Sequence, residues 1–180
     1  NNSGATYVSW TFKKATSFFD IVTYTGDGTL GRAISHNLGD NVGFLMIKGQ
    51  SSGNWSCWHR SKLGHYLRLN TTAASSTTEF NTVFGTNPTS TNFYVGGSSA
   101  NDANANGQGF VAYLFGHDET EDGLIYCGTT TTDGSGAGSV TIGWQPQWIM
   151  FKRTDNTSDW YIFDASRGGN ARLEANTADA

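Results

Sequence analysis

The sequence predicts an all-β protein made of antiparallel β-sandwich or jelly-roll-like units in tandem repeat. Three observations lead to this prediction. Short segments show a period of two, as at residues 7–12, where Tyr7, Ser9 and Thr11 alternate with Val8, Trp10 and Phe12. Glycine and aspartate turn signals, such as Gly26-Asp27-Gly28, separate these segments. Finally, residues 37–71 resemble residues 141–177, which is the signature of a repeat protein.

The internal repeat keeps its spacing to within two residues. The aligned pairs are 37–48 with 141–152, 54–61 with 159–166, and 67–71 with 173–177, at offsets of 104, 105 and 106. The first pair shares its glycine, methionine and final lysine. The apolar positions of its strand, 44–47 and 148–151, are apolar in both segments. The single-residue slips fall at turns, where insertions are tolerated. We therefore expect the two segments to share one fold.

The amino terminus fits the same scheme. Residues 1–12 resemble residues 104–115 at an offset of 103, so they carry the pattern of the strand that closes a unit. We expect residues 1–17 to hold the last strand of a preceding unit. Residues 18–118 then form a complete β repeat, and residues 119–180 form an incomplete second one.

Residues 1–118 contain about seven expected strands, in order along the chain. They lie near residues 7–12, 21–24, 44–48, 55–60, 66–70, 93–95 and 110–115. The run at 44–48 and its copy at 148–152 are apolar without alternation, so both are predicted to be central strands buried on both faces. The polar stretches 71–78 and 96–107 are predicted loops, and we expect no helix with a sustained 3.6-residue period.

Composition excludes several classes of function. Charged residues make up 14% of the chain and the net charge is −4, so the sequence offers no basic surface for nucleic acid. No apolar run is long enough to predict membrane insertion. Cys57 and Cys127 are the only cysteines. We expect two small buried thiols, with a disulfide between them as the alternative.

The sequence also predicts no enzyme, no metal and no cofactor. Glutamates are few, and most aspartates fall in turn sequences, so no pair of carboxylates stands out as a hydrolytic site. No serine or cysteine nucleophile motif is present. The four histidines lack the spacing of metal ligands; they are His36, His59, His65 and His117.

A saccharide site is the sharper binding hypothesis. Trp58, His59 and Arg60 place an aromatic ring beside hydrogen-bond donors, in the strand where the two copies diverge. Trp55 and Trp160 align with each other and therefore look structural. Rings on both faces of this strand also suit a strand buried on both sides, so a core role is favoured for each tryptophan, and Trp58, His59 and Arg60 are the candidates if a ligand binds here.

Several strings of the chain resemble one known family. They include YVSWTFKK at 7–14, VTYTGDG at 22–28 and WQPQWIMFKRTD at 144–155, together with residues 159–164 and 173–180. The resemblance is to an uncharacterised repeat domain of tail-fibre-like proteins in tailed bacteriophages, often those of marine bacteria. It implies a location in the virion, with other virion subunits as partners in a homo-oligomer.

Three classes of function follow from these observations. The first is a non-enzymatic structural module of a virion fibre. The second is a module that binds a receptor or a cell-surface glycan. The third, which the residues favour least, is a polysaccharide-degrading tail enzyme.

Overall fold

Antiparallel β-sheets dominate the structure, a computed structural model that describes residue 4 and residues 9–51, 53–97 and 102–177. The strands are β1 (Phe19–Thr25), β2 (Arg32–Ser35), β3 (Phe44–Gly49), β4 (Trp55–His59), β5 (Leu67–Arg68), β6 (Asn92–Val95), β7 (Gly109–Phe115), β8 (Trp148–Lys152), β9 (Trp160–Asp164) and β10 (Leu173–Glu174). One short helix, α1, spans Thr77–Val83. The predicted all-β class is confirmed.

The largest sheet has five strands in the order β1-β7-β3-β4-β5, all antiparallel to their neighbours. The contiguous apolar run of β3 places it in the middle, between β7 and β4, with side chains buried on both faces. Leu45 and Ile47 point to one face, and Phe44 and Met46 point to the other. The prediction of a central, buried β3 is therefore correct.

The face that carries Leu45 and Ile47 is covered by the β2–β6 hairpin-like pair and by α1. Together they enclose the main core, whose largest fully buried side chains include Tyr66, Phe84, Phe93 and Phe110. β2 was not among the expected strands. It is only four residues long, so its alternation is too short to stand out in the sequence.

Helix α1 corrects the prediction of a loop at 71–78. Ser76 is the N-cap, and its hydroxyl accepts a hydrogen bond from the Glu79 amide at 3.2 Å. Phe80 and Phe84 follow at helical spacing and are buried. The signal was present in the sequence, because a serine followed three residues later by glutamate is a capping box. The helix has one apolar stripe over only seven residues, too short for periodicity to reveal.

A second, three-stranded sheet with the order β10-β9-β8 packs against the other face of the main sheet. Trp160 is buried between the two sheets, and its Nε1 donates a hydrogen bond to the carbonyl oxygen of Arg68 at 2.8 Å. Cys57 and Cys127 lie in this second core as free, buried thiols, as expected. Burial raises the pKa of the Cys127 thiol to about 12.

The second sheet repeats the pairing of β3, β4 and β5. Lys48 pairs with Trp55, and Lys152 pairs with Trp160. At the aligned positions, Cys57 pairs with Leu67 as Ile162 pairs with Leu173. Strand order and register are thus the same in both sheets once the sequence offsets are applied.

The prediction that residues 148–152 form a buried central strand is wrong. β8 is the edge of its sheet, and Ile149 and Phe151 are 44% and 49% exposed. The physical reason is a missing neighbour. β3 is flanked by β7, whereas no strand among the described residues pairs with the outer edge of β8.

The expected strand at 7–12 falls partly outside the described residues, which begin again at residue 9. Residues 9–14 form no strand. Trp10 and Phe12 instead pack their rings against Trp148, with centroids 6.4 and 6.5 Å away. The described part of this segment therefore contacts β8 through side chains.

Candidate functional site

The three residues predicted to bind a saccharide do not form one site. Trp58 is only 3% exposed, its ring belongs to the main core, and its Nε1 donates to Oδ1 of Asn87 at 2.9 Å. Since neighbouring side chains of a strand point to opposite faces, His59 lies on the other side of the sheet. The structure therefore corrects the candidate role of Trp58: it is a core residue with no ring face open to a ligand.

His59 is a largely buried histidine beside Phe44, with ring centroids 6.1 Å apart. Its Nδ1 accepts a hydrogen bond from the Ser61 amide at 3.1 Å. Burial first, and then the nearby charges of Arg60 and His117, lower the pKa of His59 to about 4. His59 is therefore neutral near pH 7 and supplies packing and a local turn contact.

Arg60 belongs to a polar cluster at the end of the sheet. Its Nη1 lies 2.5 Å from Nε2 of His117 and 3.3 Å from Oε1 of Glu119. The His117 ring is anchored in turn, because its Nδ1 accepts from the Cys127 amide at 2.9 Å. No signal in the sequence joined these residues, since 57 and 59 positions separate Arg60 from its two partners. The cluster offers one exposed carboxylate and a part-exposed guanidinium.

An unexpected surface lies on the second sheet, and we call it the open face. It consists of Ile149, Phe151, Tyr161 and Phe163, which alternation places together on the side turned away from the main sheet. Phe151 stacks on Phe163 with centroids 5.9 Å apart and contacts Tyr161 at 5.5 Å. A continuous apolar patch beside a free strand edge is typical of an interaction surface.

The aligned positions in the first unit are all buried. Leu45, Ile47, Ser56 and Trp58 align with Ile149, Phe151, Tyr161 and Phe163, and they form the floor of the main core or its edge. The open face is thus the uncovered counterpart of the main core floor. Burial was predicted for Ile149 and Phe151 as part of the run at 148–152. An alignment shows which residues correspond, but not which neighbouring elements pack on them.

Charged residues lie beside the open face. The guanidinium of Arg172 lies 4.9 Å from the Tyr161 ring centroid, and its Nη2 is 3.0 Å from Oε1 of Glu174. Glu174 aligns with Arg68, which pairs with Glu79 of α1 in the first unit. The sign of the charge at this position is therefore reversed between the two aligned segments.

Neither a metal-binding cluster nor a membrane-spanning helix occurs among the described residues. They contain no group of three or more histidine, cysteine, aspartate or glutamate side chains arranged to hold a metal ion. No helix among them is long and apolar enough to cross a membrane.

Comparison with known proteins yields one match. A family model described as "Domain of unknown function (DUF7483)" matches residues 1–180. No curated protein and no solved structure matches the chain.

Proposed function

We propose that this chain, which belongs to the DUF7483 family, is a non-enzymatic structural module of a tail-fibre-like virion protein, built by tandem repetition of one β unit. The observation that carries the proposal is the shared strand order and register of β3-β4-β5 and β8-β9-β10. A virion location and virion subunits as partners follow from the resemblance of the sequence strings, and they are part of the same proposal.

Side-chain contacts at equivalent corners support the repeat. The Trp55 amide donates to Oδ1 of Asn70 at 3.0 Å, and the Trp160 amide donates to Oδ1 of Asn176 at 2.8 Å. Each asparagine also donates from its own amide, Asn70 to Asn54 and Asn176 to Asp159. Such corner bonds are specific to one backbone geometry. Their recurrence supports two copies of one unit rather than two unrelated hairpins.

The packing between the copies supports a structural role. The two sheets meet through aligned faces, one carrying Phe44 and Met46 and the other Trp148 and Met150. The opposite face of the first unit is covered by its own α1 and β2–β6, while that of the second is open. Repeat proteins are stabilised by contacts with neighbouring repeats, and an open apolar face serves such contacts.

The carboxyl groups support a non-enzymatic role. Each described carboxyl whose pKa departs from its ordinary value has that pKa lowered; these are Asp20, Asp27, Asp102, Asp118, Glu119, Asp133, Asp155 and Asp164. Hydrogen bonds to neighbouring amides and cations hold them ionised. A polysaccharide hydrolase needs the opposite, a general acid whose pKa is raised.

Immunogold electron microscopy of phage particles that encode the chain tests this proposal. Antibodies raised against the recombinant protein should label the tail fibres, and mass spectrometry of the purified particles should detect the chain. Absence of the chain from purified particles would overturn the proposal.

Binding of a cell-surface glycan is the alternative function, and the cluster of Arg60, His117 and Glu119 is where such a ligand would be sought. An array of bacterial surface glycans, probed with the intact chain, tests it. Binding that Arg60→Ala abolishes and Arg153→Ala preserves would favour recognition over a structural role. Arg153 is a suitable control because it pairs only with its neighbour Asp155 among the described contacts, on the exposed surface.

A further inference from the structure

We propose that the open face of the second sheet is a docking site for a closing segment with the chemistry of residues 77–115, and that this segment adds a strand to the edge of β8. The inference rests on the proposed function, because it takes the second sheet to be a copy of the first. It goes further in naming what covers the open face.

The outer edge of β8 corresponds to the edge of β3 that pairs with β7. β7 pairs antiparallel with β3 through six residue pairs, from Phe44 with Phe115 to Gly49 with Phe110. β8 aligns with β3 and has the same register with its next strand, but its corresponding edge has no partner among the described residues. An unpaired edge presents a row of free N–H and C=O groups that favours strand addition. A β7-like strand therefore fits this edge.

The apolar side chains of β8 on the open face are more exposed than their counterparts on β3. In the first unit, Phe80 of α1, Phe84 at its C-cap and Phe93 of β6 share the main core with Leu45 and Ile47. Their counterparts Ile149 and Phe151 are about half exposed. Burying the exposed half of each of these side chains is favourable. The occupant must therefore bring large apolar side chains as well as a strand.

Among the residues that the structure describes, none near β8 fills this role. The described part of the amino-terminal segment contacts Trp148 through Trp10 and Phe12. Trp148 points to the opposite face of β8 from Phe151, because their separation of three residues is odd.

A charged residue beside the open face indicates the charge that its occupant should carry. Arg68 pairs with Glu79 in the first turn of α1, next to the main core. Glu174 holds the aligned position in the second unit and pairs with Arg172, the residue just before β10. Because the charge is reversed, a closing helix for the second unit should carry arginine or lysine where α1 carries Glu79. This complementarity separates a matched closing segment from a generic apolar one.

The test extends the intact chain with a second copy of its own residues 75–118, joined after Ala180 at the offset of 106 that aligns Leu67 with Leu173. Two versions are compared, one unchanged and one with the copied Glu79→Arg. We expect the arginine version to lower the fluorescence of a dye that binds apolar surface and to raise the urea midpoint. It should also slow amide exchange of residues 148–152 by roughly tenfold or more.

Controls separate docking from a general effect of the added chain. The unchanged extension should protect β8 less, and adding Glu174→Arg to it should restore protection by recreating the Arg68–Glu79 pairing. An arginine extension in which the copied Phe80 and Phe110 are both changed to Asp should give no protection.

Two outcomes would overturn the proposal. One is unchanged dye binding and exchange at β8 in every extended version. The other is a stable dimer of the unextended chain that Phe151→Asp dissociates, since a second copy would then occupy the face. Neither outcome alters the immunogold labelling that tests the proposed function, so the two proposals can fail separately.

Discussion

Trp160 donates its indole hydrogen to the backbone oxygen of Arg68, 92 residues earlier in the chain, at 2.8 Å. This bond joins β9 of the second sheet to β5 of the main sheet. The Trp160 ring also lies 6.2 Å from the Phe44 ring, centroid to centroid. One side chain therefore holds the two sheets together through both packing and hydrogen bonding, and its substitution reports on their interface.

Trp160→Phe should destabilise the protein by about 1–2 kcal/mol, because it removes the donor and leaves the buried Arg68 carbonyl oxygen unpaired. Trp160→Ala should cost about 3–5 kcal/mol, since it also opens a cavity. Urea unfolding measures both. Leu63→Ala serves as the control, because Leu63 is highly exposed and its loss should change little. Equal losses for the two Trp160 variants would contradict the assigned bond.

Trp58→Ala should destabilise the protein by about 3–5 kcal/mol, because the Trp58 ring lies in the main core. Arg60→Ala should cost less than about 1 kcal/mol, since the Arg60 side chain is part-exposed and its ion pair with Glu119 is solvated. Urea unfolding of both variants tests this contrast. A fully stable Trp58→Ala protein would show that the ring is not a core element.

Acid should weaken the fold through His59. Its pKa is about 4 in the folded protein and about 6.5 when unfolded, so between these values the unfolded chain binds more protons. The free energy of unfolding therefore falls as pH drops from about 6.5 to about 4, by up to about 3 kcal/mol.

His59→Gln should flatten this dependence, which urea unfolding at a series of pH values measures. Burial also lowers the pKa of His36, so part of the slope should remain in the variant. An equally steep slope in parent and variant would contradict the assignment to His59.

The two corner asparagines should respond differently to one substitution. Asn176→Asp places a carboxylate next to the Asp159 carboxylate, where the present contact is 2.8 Å. Asn70→Asp meets the neutral Asn54 amide instead. We expect the Asn176 variant to lose at least about 1 kcal/mol more stability, and the difference to shrink at high salt.

Urea unfolding at low and high salt measures the Asn70 and Asn176 variants. Alanine at each position is the matched control, because it removes the amide without adding a charge. A difference that ignores salt would show that charge repulsion is not its cause.

Local pattern predicted most of the first unit. The contiguous apolar run at 44–48 carries its own information, because a strand without polar residues is suited to a position with both faces covered. Helix α1 was not predicted, because seven residues are too few to show a helical period. Its capping box, Ser76 followed by Glu79, is present in the sequence. The contact of Arg60 with His117 and Glu119 could not be predicted, because nothing local links residues so far apart.

The sequence by itself determined the all-β class and the correspondence between β3-β4-β5 and β8-β9-β10, because both follow from local patterns and fixed offsets. Tertiary structure decided which of the two aligned strands is buried. Ile47 and Phe151 occupy aligned positions, yet Ile47 is buried and Phe151 is 49% exposed. The difference lies in what packs on each strand: β7, α1 and β6 cover β3, and no described strand or helix covers that side of β8. Burial depends on neighbours, and a residue's own sequence context does not specify them.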